Sequence, residues 1–99
     1  MSREYETYRI DWQGIGIEVR WAAKWMNSDV HPVAHLELVS DGRVPLPMTE
    51  TGYRSHFTSR EDVESMGGAV AYAIAWLDHE AQSAEWKHHV QASKQLSLF

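Results

Sequence analysis

The densest group of chemically active side chains lies between residues 51 and 57. Tyr53, Arg54, Ser55 and His56 stand side by side and offer a phenol, a guanidinium, a hydroxyl and an imidazole. Charged and neutral hydrogen-bond donors in one place suit a small anion or a peptide. We favour the alternative that Tyr53 and Phe57 simply pack this segment, and we keep the other reading as a secondary interaction site.

The six histidines raise the question of a metal site or an acid–base site. His79 and Glu80 would begin a zinc-protease helix motif, but Ser83 occupies the position that needs the second histidine. The sequence shows no nucleophile motif and no phosphate-binding glycine loop. We therefore expect no catalytic residue, no bound metal and no cofactor. A small histidine-dependent enzyme or metal protein, built on the regions of His56 or His79, stays open as the second alternative function.

Alternation of apolar and polar residues predicts the strands that position these groups. Residues 5–26 read as two strands around a tight turn at Gln13-Gly14, where glycine accepts a positive φ. Residues 34–38 read as a third strand. Residues 44–47 contain two prolines and read as an edge strand or an extended segment. Residues 53–57 are either a loop or a fourth strand.

Helical signals follow the strands. Ser59 is a good N-cap, Gly67-Gly68 interrupts the first helix, and a second helical pattern runs from Ala69 to about Val90 with a break near Ser83. The stripe that we expect to be buried comprises Val70, Ala73, Ile74, Leu77, Ala81 and Ala84. The predicted fold is α+β, with an antiparallel sheet of three to four strands, built from N-terminal hairpins, and the C-terminal helix on one face. Residues 1–92 form this single domain, and residues 93–99 form a flexible tail.

Charge and composition exclude some classes of function. The 99 residues carry a formal charge of −5 and contain no cysteine. An acidic chain without a basic cluster gains little from counterion release, so we expect no direct nucleic-acid binding. The lack of disulfides favours a reducing cytoplasm, and neither a signal peptide nor an apolar run of the ~20 residues that span a bilayer is present. We expect a cytoplasmic protein without membrane contact.

Five tryptophans are a high number for this length. Trp12, Trp21 and Trp25 lie on or near the predicted hairpin, and together on the surface they would form a platform for bases or for a protein. The acidic charge favours a core built with large aromatic side chains instead. The first alternative function is an interaction module of unknown partner that uses this sheet or a helix surface, as a monomer or a homodimer, with the C-terminal tail merely structural.

The last five residues carry the most specific signal. Gln95, Leu96, Ser97, Leu98 and Phe99 resemble the peptide that docks bacterial polymerases, mismatch-repair proteins and replication regulators on the sliding clamp. The resemblance implies that Gln95 hydrogen-bonds in a small polar subsite, while Leu98 and Phe99 fill the main pocket. It also implies that Leu96 packs at the pocket edge and that Ser97 faces solvent. The alternative is that this tail folds back on its own domain.

The body offers a weaker resemblance. Residues 50–57 (ETGYRSHF) and 76–80 (WLDHE) are similar to small uncharacterised proteins carried on bacterial plasmids and integrated elements. This resemblance implies a setting but no mechanism. The sequence as a whole favours a non-enzymatic adaptor or regulator that docks on the bacterial sliding clamp.

Overall fold

The computed structural model describes residues 5–26 and 33–96, without the side chains of residues 25, 26 and 94–96. Four strands form one antiparallel sheet in sequence order: β1 (Glu6–Trp12), β2 (Ile15–Met26), β3 (Val33–Ser40) and β4 (Tyr53–Thr58). Three helices follow: α1 (Arg60–Ser65), α2 (Ala69–Glu80) and α3 (Ala84–Leu96). The predicted α+β fold is thereby confirmed. No helix in the described ranges is long and apolar enough to cross a membrane.

The first hairpin turns where the sequence predicts. Gln13 and Gly14 have φ values of 50° and 80°, and Trp12 pairs with Ile15 across the turn. The Gly14 amide donates to Asp11 Oδ1 at 3.1 Å, which ties the turn to the end of β1. Two consecutive positive φ values match the right-handed twist of the flanking strands.

The connection between β3 and β4 is longer than a simple hairpin. A 3₁₀ turn (Asp41–Arg43) follows β3, and the proline-bearing segment makes only an isolated bridge between Leu46 and Thr49. The connection closes where the Ser40 amide donates to the Gly52 carbonyl at 2.8 Å. Residues 44–47 are therefore an extended segment rather than an edge strand, because their two prolines cannot donate to a ladder.

The predicted helix starts and the predicted break near Ser83 are confirmed. Ser59 Oγ accepts from the Asp62 amide at 3.1 Å, and Gly67 and Gly68 separate α1 from α2 with φ values of 102° and 110°. Ser83 caps α3, because its Oγ accepts from the Trp86 amide at 3.1 Å. 

The last helix differs from its prediction at the other end. It continues to Leu96 instead of ending near Val90. Residues 92–96 include alanine, lysine, glutamine and leucine, which all have high helix propensity. The boundary predicted at residue 93 thus falls inside α3, and Ser97, Leu98 and Phe99 lie outside the described residues.

The core lies between one face of the sheet and the helices. We call this the helix face; its fully buried members are Ile17, Val19, Ala34, Leu36, Leu38, Val63, Ala73 and Leu77. Val63 of α1, Leu77 of α2 and Trp86 of α3 join the same cluster, so the three helices share this face. The opposite face, which carries His35 and Ser55, is called the open face.

The predicted buried stripe, which runs from Val70 in α2 to Ala84 in α3, is wrong at two positions. Ile74 is 38% exposed, and Ala84 is also exposed. The buried line of α2 is instead Ala69, Ala73 and Leu77. A helix that rests on a single layer covers one narrow line of side chains at i, i+4 spacing, and Ile74 lies about 100° around the axis from Ala73.

Candidate functional site

The four neighbouring residues of the predicted secondary site lie on a strand, and the strand divides them. Arg54 stands opposite Leu38 and His56 opposite Leu36, so both belong to the helix face. Tyr53 and Ser55 point to the open face, because successive side chains of a strand alternate. The structure therefore brings these residues together in two pairs rather than in one site.

Arg54 and His56, the pair on the helix face, contact aromatic side chains of α2. His56 Nε2 lies 3.0 Å from Tyr72 Oη, and its ring centroid is 4.8 Å from that of Trp76. The Arg54 guanidinium carbon lies 5.7 Å from the centre of the Trp76 ring. Burial, followed by the nearby charge of Arg54 and then by His35, lowers the pKa of His56. The imidazole is thus neutral at pH 7 and serves as a hydrogen-bonding ring rather than a cation.

A shallow depression of about 230 Å³ lies beside this cluster. It is lined by Met66, Tyr72, Ala75, Trp76 and His79. Its walls are mainly aromatic and apolar, so it suits an apolar side chain of a partner better than a polar substrate.

The open-face pair belongs to a hydrogen-bond chain centred on His35. The buried His35 has its Nδ1 2.6 Å from Tyr5 Oη and its Nε2 2.5 Å from Ser55 Oγ, and Phe57 stacks on its ring at 4.4 Å. A serine beside a histidine is the start of a nucleophilic arrangement. The third group here is a phenol, which provides no anion to stabilise an imidazolium. The chain therefore suits a structural role in fixing β3, β4 and Tyr5.

Tyr53 makes a separate contact on the same face. Its hydroxyl donates to Glu37 Oε2, and the Arg43 guanidinium carbon lies 5.5 Å from its ring centre. The hydrogen bond to Glu37, with a smaller effect of burial, raises the pKa of Tyr53. This phenol is therefore a hydrogen-bond donor and not a base.

The histidines do not assemble a metal site in the described part of the chain. No group of three or more His, Asp or Glu side chains there is close enough to hold a metal ion. His31 lies outside the described residues. His79, His88 and His89 are exposed on α2 and α3.

The tryptophans of the hairpin lie inside the molecule. Trp12 and Trp21 are 5% and 8% exposed, and they cannot form a stacking platform. The core interpretation is confirmed for these two residues, while the Trp25 side chain lies outside the described set. Trp12 also links β1 to α2, because its Nε1 donates to Asp78 Oδ1 at 2.9 Å.

A groove runs along α3. It has a volume of about 410 Å³ and is lined by Gln13, Ile15, Val44, Pro45, Trp86, His89, Val90 and Ser93. Trp86 is 7% exposed, and its Nε1 has no acceptor in the described part of the chain. The groove is lined largely by apolar side chains, so it suits an apolar side chain of a partner.

The predicted clamp-binding residues begin at the end of this helix. Gln95 and Leu96 are its last two residues, and Ser97, Leu98 and Phe99 lie outside the described residues. Between Lys87 and Ser93, only Val90 and Ala92 are half-buried, and the other side chains are exposed. The peptide therefore begins in the last turn of a helix that the body covers little beyond Trp86.

Sequence reasoning missed several partners in these clusters. Tyr5 and Tyr72 are not among the predicted site residues, and His35 is considered only as one of the histidines that could share a metal. Each of the three hydrogen-bonds to a residue of β4 or to His35. The alternation of side chains along β3 could have placed His35 in the sequence analysis, because it puts His35 on the face opposite Leu36. Nothing local in the sequence pairs His35 with Ser55, because that contact depends on the β3–β4 register.

Comparison with known proteins identifies a family. The sequence model of the family described as KlcB third domain matches residues 5–86. No curated protein and no solved structure matches the chain. The match fits the small plasmid-associated proteins that residues 50–57 and 76–80 resemble. It ends before residue 95, so the clamp-like peptide is not part of the matched region.

Proposed function

The chain belongs to the KlcB third domain family, and on that premise we propose that it is a non-enzymatic adaptor or regulator that docks on the bacterial DNA sliding clamp. Residues 95–99 would be the docking element, and the folded family unit would be the body that they tether. This role implies a cytoplasmic location.

The observation that carries the proposal is the QLSLF sequence itself. It agrees with the clamp-binding pattern of Gln, Leu, a small or acidic residue, Leu and Phe at every position. Three of its residues are large and apolar, and each gains ~1.5–3 kcal/mol when fully buried in a partner's groove. Ordering a short peptide offsets part of this gain, so we expect an affinity that is roughly micromolar.

The position of the peptide supports docking. The 13-residue helix α3 is about 20 Å long, and it is anchored near its start by the buried Trp86. Residues 95 and 96 stand at its far end, where the neighbouring described side chains are mostly exposed. A partner can approach such an end without displacing the core.

The family description supports a modular body. The family is a third domain, so KlcB carries this unit beside other domains. A compact unit joined to other elements suits an adaptor, because tethering raises the local concentration of whatever the body binds. The alternative within the same proposal is a competitor, in which the peptide simply occupies the site that polymerases use.

The test is binding of the full chain to a purified bacterial sliding clamp by isothermal titration calorimetry. The double variant Leu98→Ala, Phe99→Ala should lose binding, because both side chains that fill the main pocket are gone. Ile74→Ala is the matched control, since it truncates an exposed apolar side chain on α2 and should bind normally. No binding of the unmodified chain at roughly tens of micromolar clamp would refute the proposal.

A synthetic peptide of residues 95–99 separates the two roles. If the chain is a competitor, the peptide alone should displace a polymerase peptide from the clamp about as well as the full chain does. If the chain is a recruiter, the peptide competes at the clamp but does not bring the body's partner with it.

A further inference from the structure

The two edge strands of the sheet differ in how well they are protected against pairing with another strand. β1 carries charges at Glu6, Arg9 and Asp11, whereas β4 (YRSHFT) has Arg54 and contains no lysine, acidic residue or proline. The β3–β4 register runs without a shift from Thr58 to Tyr53. Charges, prolines and bulges are the devices that keep edges apart, and β4 has little of this protection.

The outer edge of β4 is also available within the described ranges. The strand order ends at β4, and no described strand pairs with its outer side. The backbone N–H and C=O groups along such an edge are complementary to one kind of partner, which is another extended strand. Beside the edge, Phe57 is 52% exposed on the open face.

We propose that β4 pairs antiparallel with β4 of a second copy, about a two-fold axis that passes through Ser55. The two four-stranded sheets would then join into one continuous sheet, with both helix layers on the same side. The pairing buries the edges of both copies together, and it does not depend on the sliding clamp.

The choice of a second copy follows from the residues that such an axis brings together. In an antiparallel pair, directly opposite residues point to the same face. With the axis at Ser55, Tyr53 stands opposite the partner's Phe57 on the open face, and Arg54 stands opposite the partner's His56 on the helix face. The symmetry forms each of these pairs twice, so the strand is complementary to itself.

Neighbouring registers are less favourable. An axis through Arg54 would place two guanidinium groups directly opposite each other, which is destabilising. An axis through His56 would place Phe57 opposite the partner's Ser55 and would lose both aromatic pairs. Because burial and Arg54 lower the pKa of His56, the imidazole opposite the partner's Arg54 is neutral at pH 7, and like-charge repulsion is avoided.

A cysteine placed on the axis tests the proposal. The chain has no cysteine, so Ser55→Cys introduces a single thiol. Directly opposite residues in an antiparallel pair have Cα atoms about 4.5–5.5 Å apart, which is within the range of a disulfide. Thr58→Cys on the same strand is the matched control, because the two copies of residue 58 would lie roughly 20 Å apart.

Mild oxidation should convert Ser55→Cys to a covalent dimer several times faster than Thr58→Cys. Equal rates for the two variants would overturn the proposal, and efficient cross-linking of His56→Cys in place of Ser55→Cys would overturn the register. Both outcomes are read on non-reducing gels, with circular dichroism to confirm that each variant is folded.

Sedimentation of the unmodified chain gives a second readout that needs no cysteine. We expect a dimer at roughly 100 μM that Phe57→Lys shifts to a monomer, because a lysine blocks the aromatic pair at the edge. Ile74→Lys changes an exposed apolar residue on α2 and should stay dimeric. A monomeric unmodified chain at this concentration would overturn the proposal, whether or not it binds the clamp.

Discussion

The hydrogen bond between Trp12 and Asp78 joins residues 66 positions apart and ties the first strand to α2. The indole is 5% exposed, and its Nε1 donates to Asp78 Oδ1 at 2.9 Å. Asp78 stands in the last turn of α2, which ends at Glu80. The helix dipole disfavours a carboxylate in that turn, so the bond to Trp12 gives the physical reason for an acidic residue there.

The magnitude of the loss in Asp78→Ala follows from two opposing effects. The variant removes a charged acceptor and leaves a buried donor without a partner, which costs ~1–3 kcal/mol. Removing the carboxylate from the helix end recovers ~0.3–1 kcal/mol. The net loss of unfolding free energy is therefore about 1–2 kcal/mol, and in a domain of this size it lowers the melting temperature by roughly 4–16 °C.

Thermal and urea unfolding followed by circular dichroism, at one protein concentration, measure this loss. Asp78→Asn is the matched control, because its amide oxygen can still accept from the indole while the charge is removed. It should stay within about 0.5 kcal/mol of the unmodified chain. In a Trp12→Phe background Asp78→Ala should no longer destabilise the chain, since the donor is absent, and only the gain of ~0.3–1 kcal/mol at the helix end should remain. Equal stability of Asp78→Ala and Asp78→Asn would refute the reasoning.

Two further predictions concern pH and backbone strain. Burial and the nearby Arg54 lower the pKa of His56 in the folded chain, below its unfolded value of about 6.5. The unfolded chain therefore binds more protons below about pH 7, and stability falls as the pH drops. His56→Gln should reduce this fall in urea unfolding between about pH 7 and pH 5, and parallel curves for the two chains would contradict the cause. Gly52→Ala should lower the melting temperature more than Gly14→Ala does. Both glycines have positive φ, at 74° and 80°, but a Cβ on Gly52 would lie 2.6 Å from the Arg43 carbonyl carbon, and one on Gly14 would meet nothing within 4 Å. Equal losses would show that backbone conformation alone decides the cost.

The elements of the fold could be predicted because their signals are local. The turn at Gln13-Gly14, the cap at Ser59 and the glycines at 67 and 68 each act on their immediate neighbours. The exposure of Ile74 could not be predicted from the sequence, because the buried line of a helix depends on the layer against which the helix packs. The tertiary surroundings of α2 therefore override a stripe that periodicity alone would accept.

The chemistry of the sites depends on register, which the local pattern does not contain. His35 and Ser55 meet only because β3 and β4 pair with Glu37 opposite Ser55 and His35 opposite Phe57. The connection of twelve residues between these strands, 41–52, leaves many registers open to a sequence reading. Once residues 53–57 are known to be a strand, the division of Tyr53 and Ser55 from Arg54 and His56 follows from the period of two.

The simple strand order also bears on how quickly the molecule folds. Each of the four described strands pairs with the strand before or after it in the sequence, so each of these pairings closes a short loop at a small entropic cost. Proteins whose contacts are close in sequence fold faster than those that must join distant segments. We therefore expect the sheet to form strand by strand from the first hairpin. The packing of α2 against Trp12 would be a late step that completes the core.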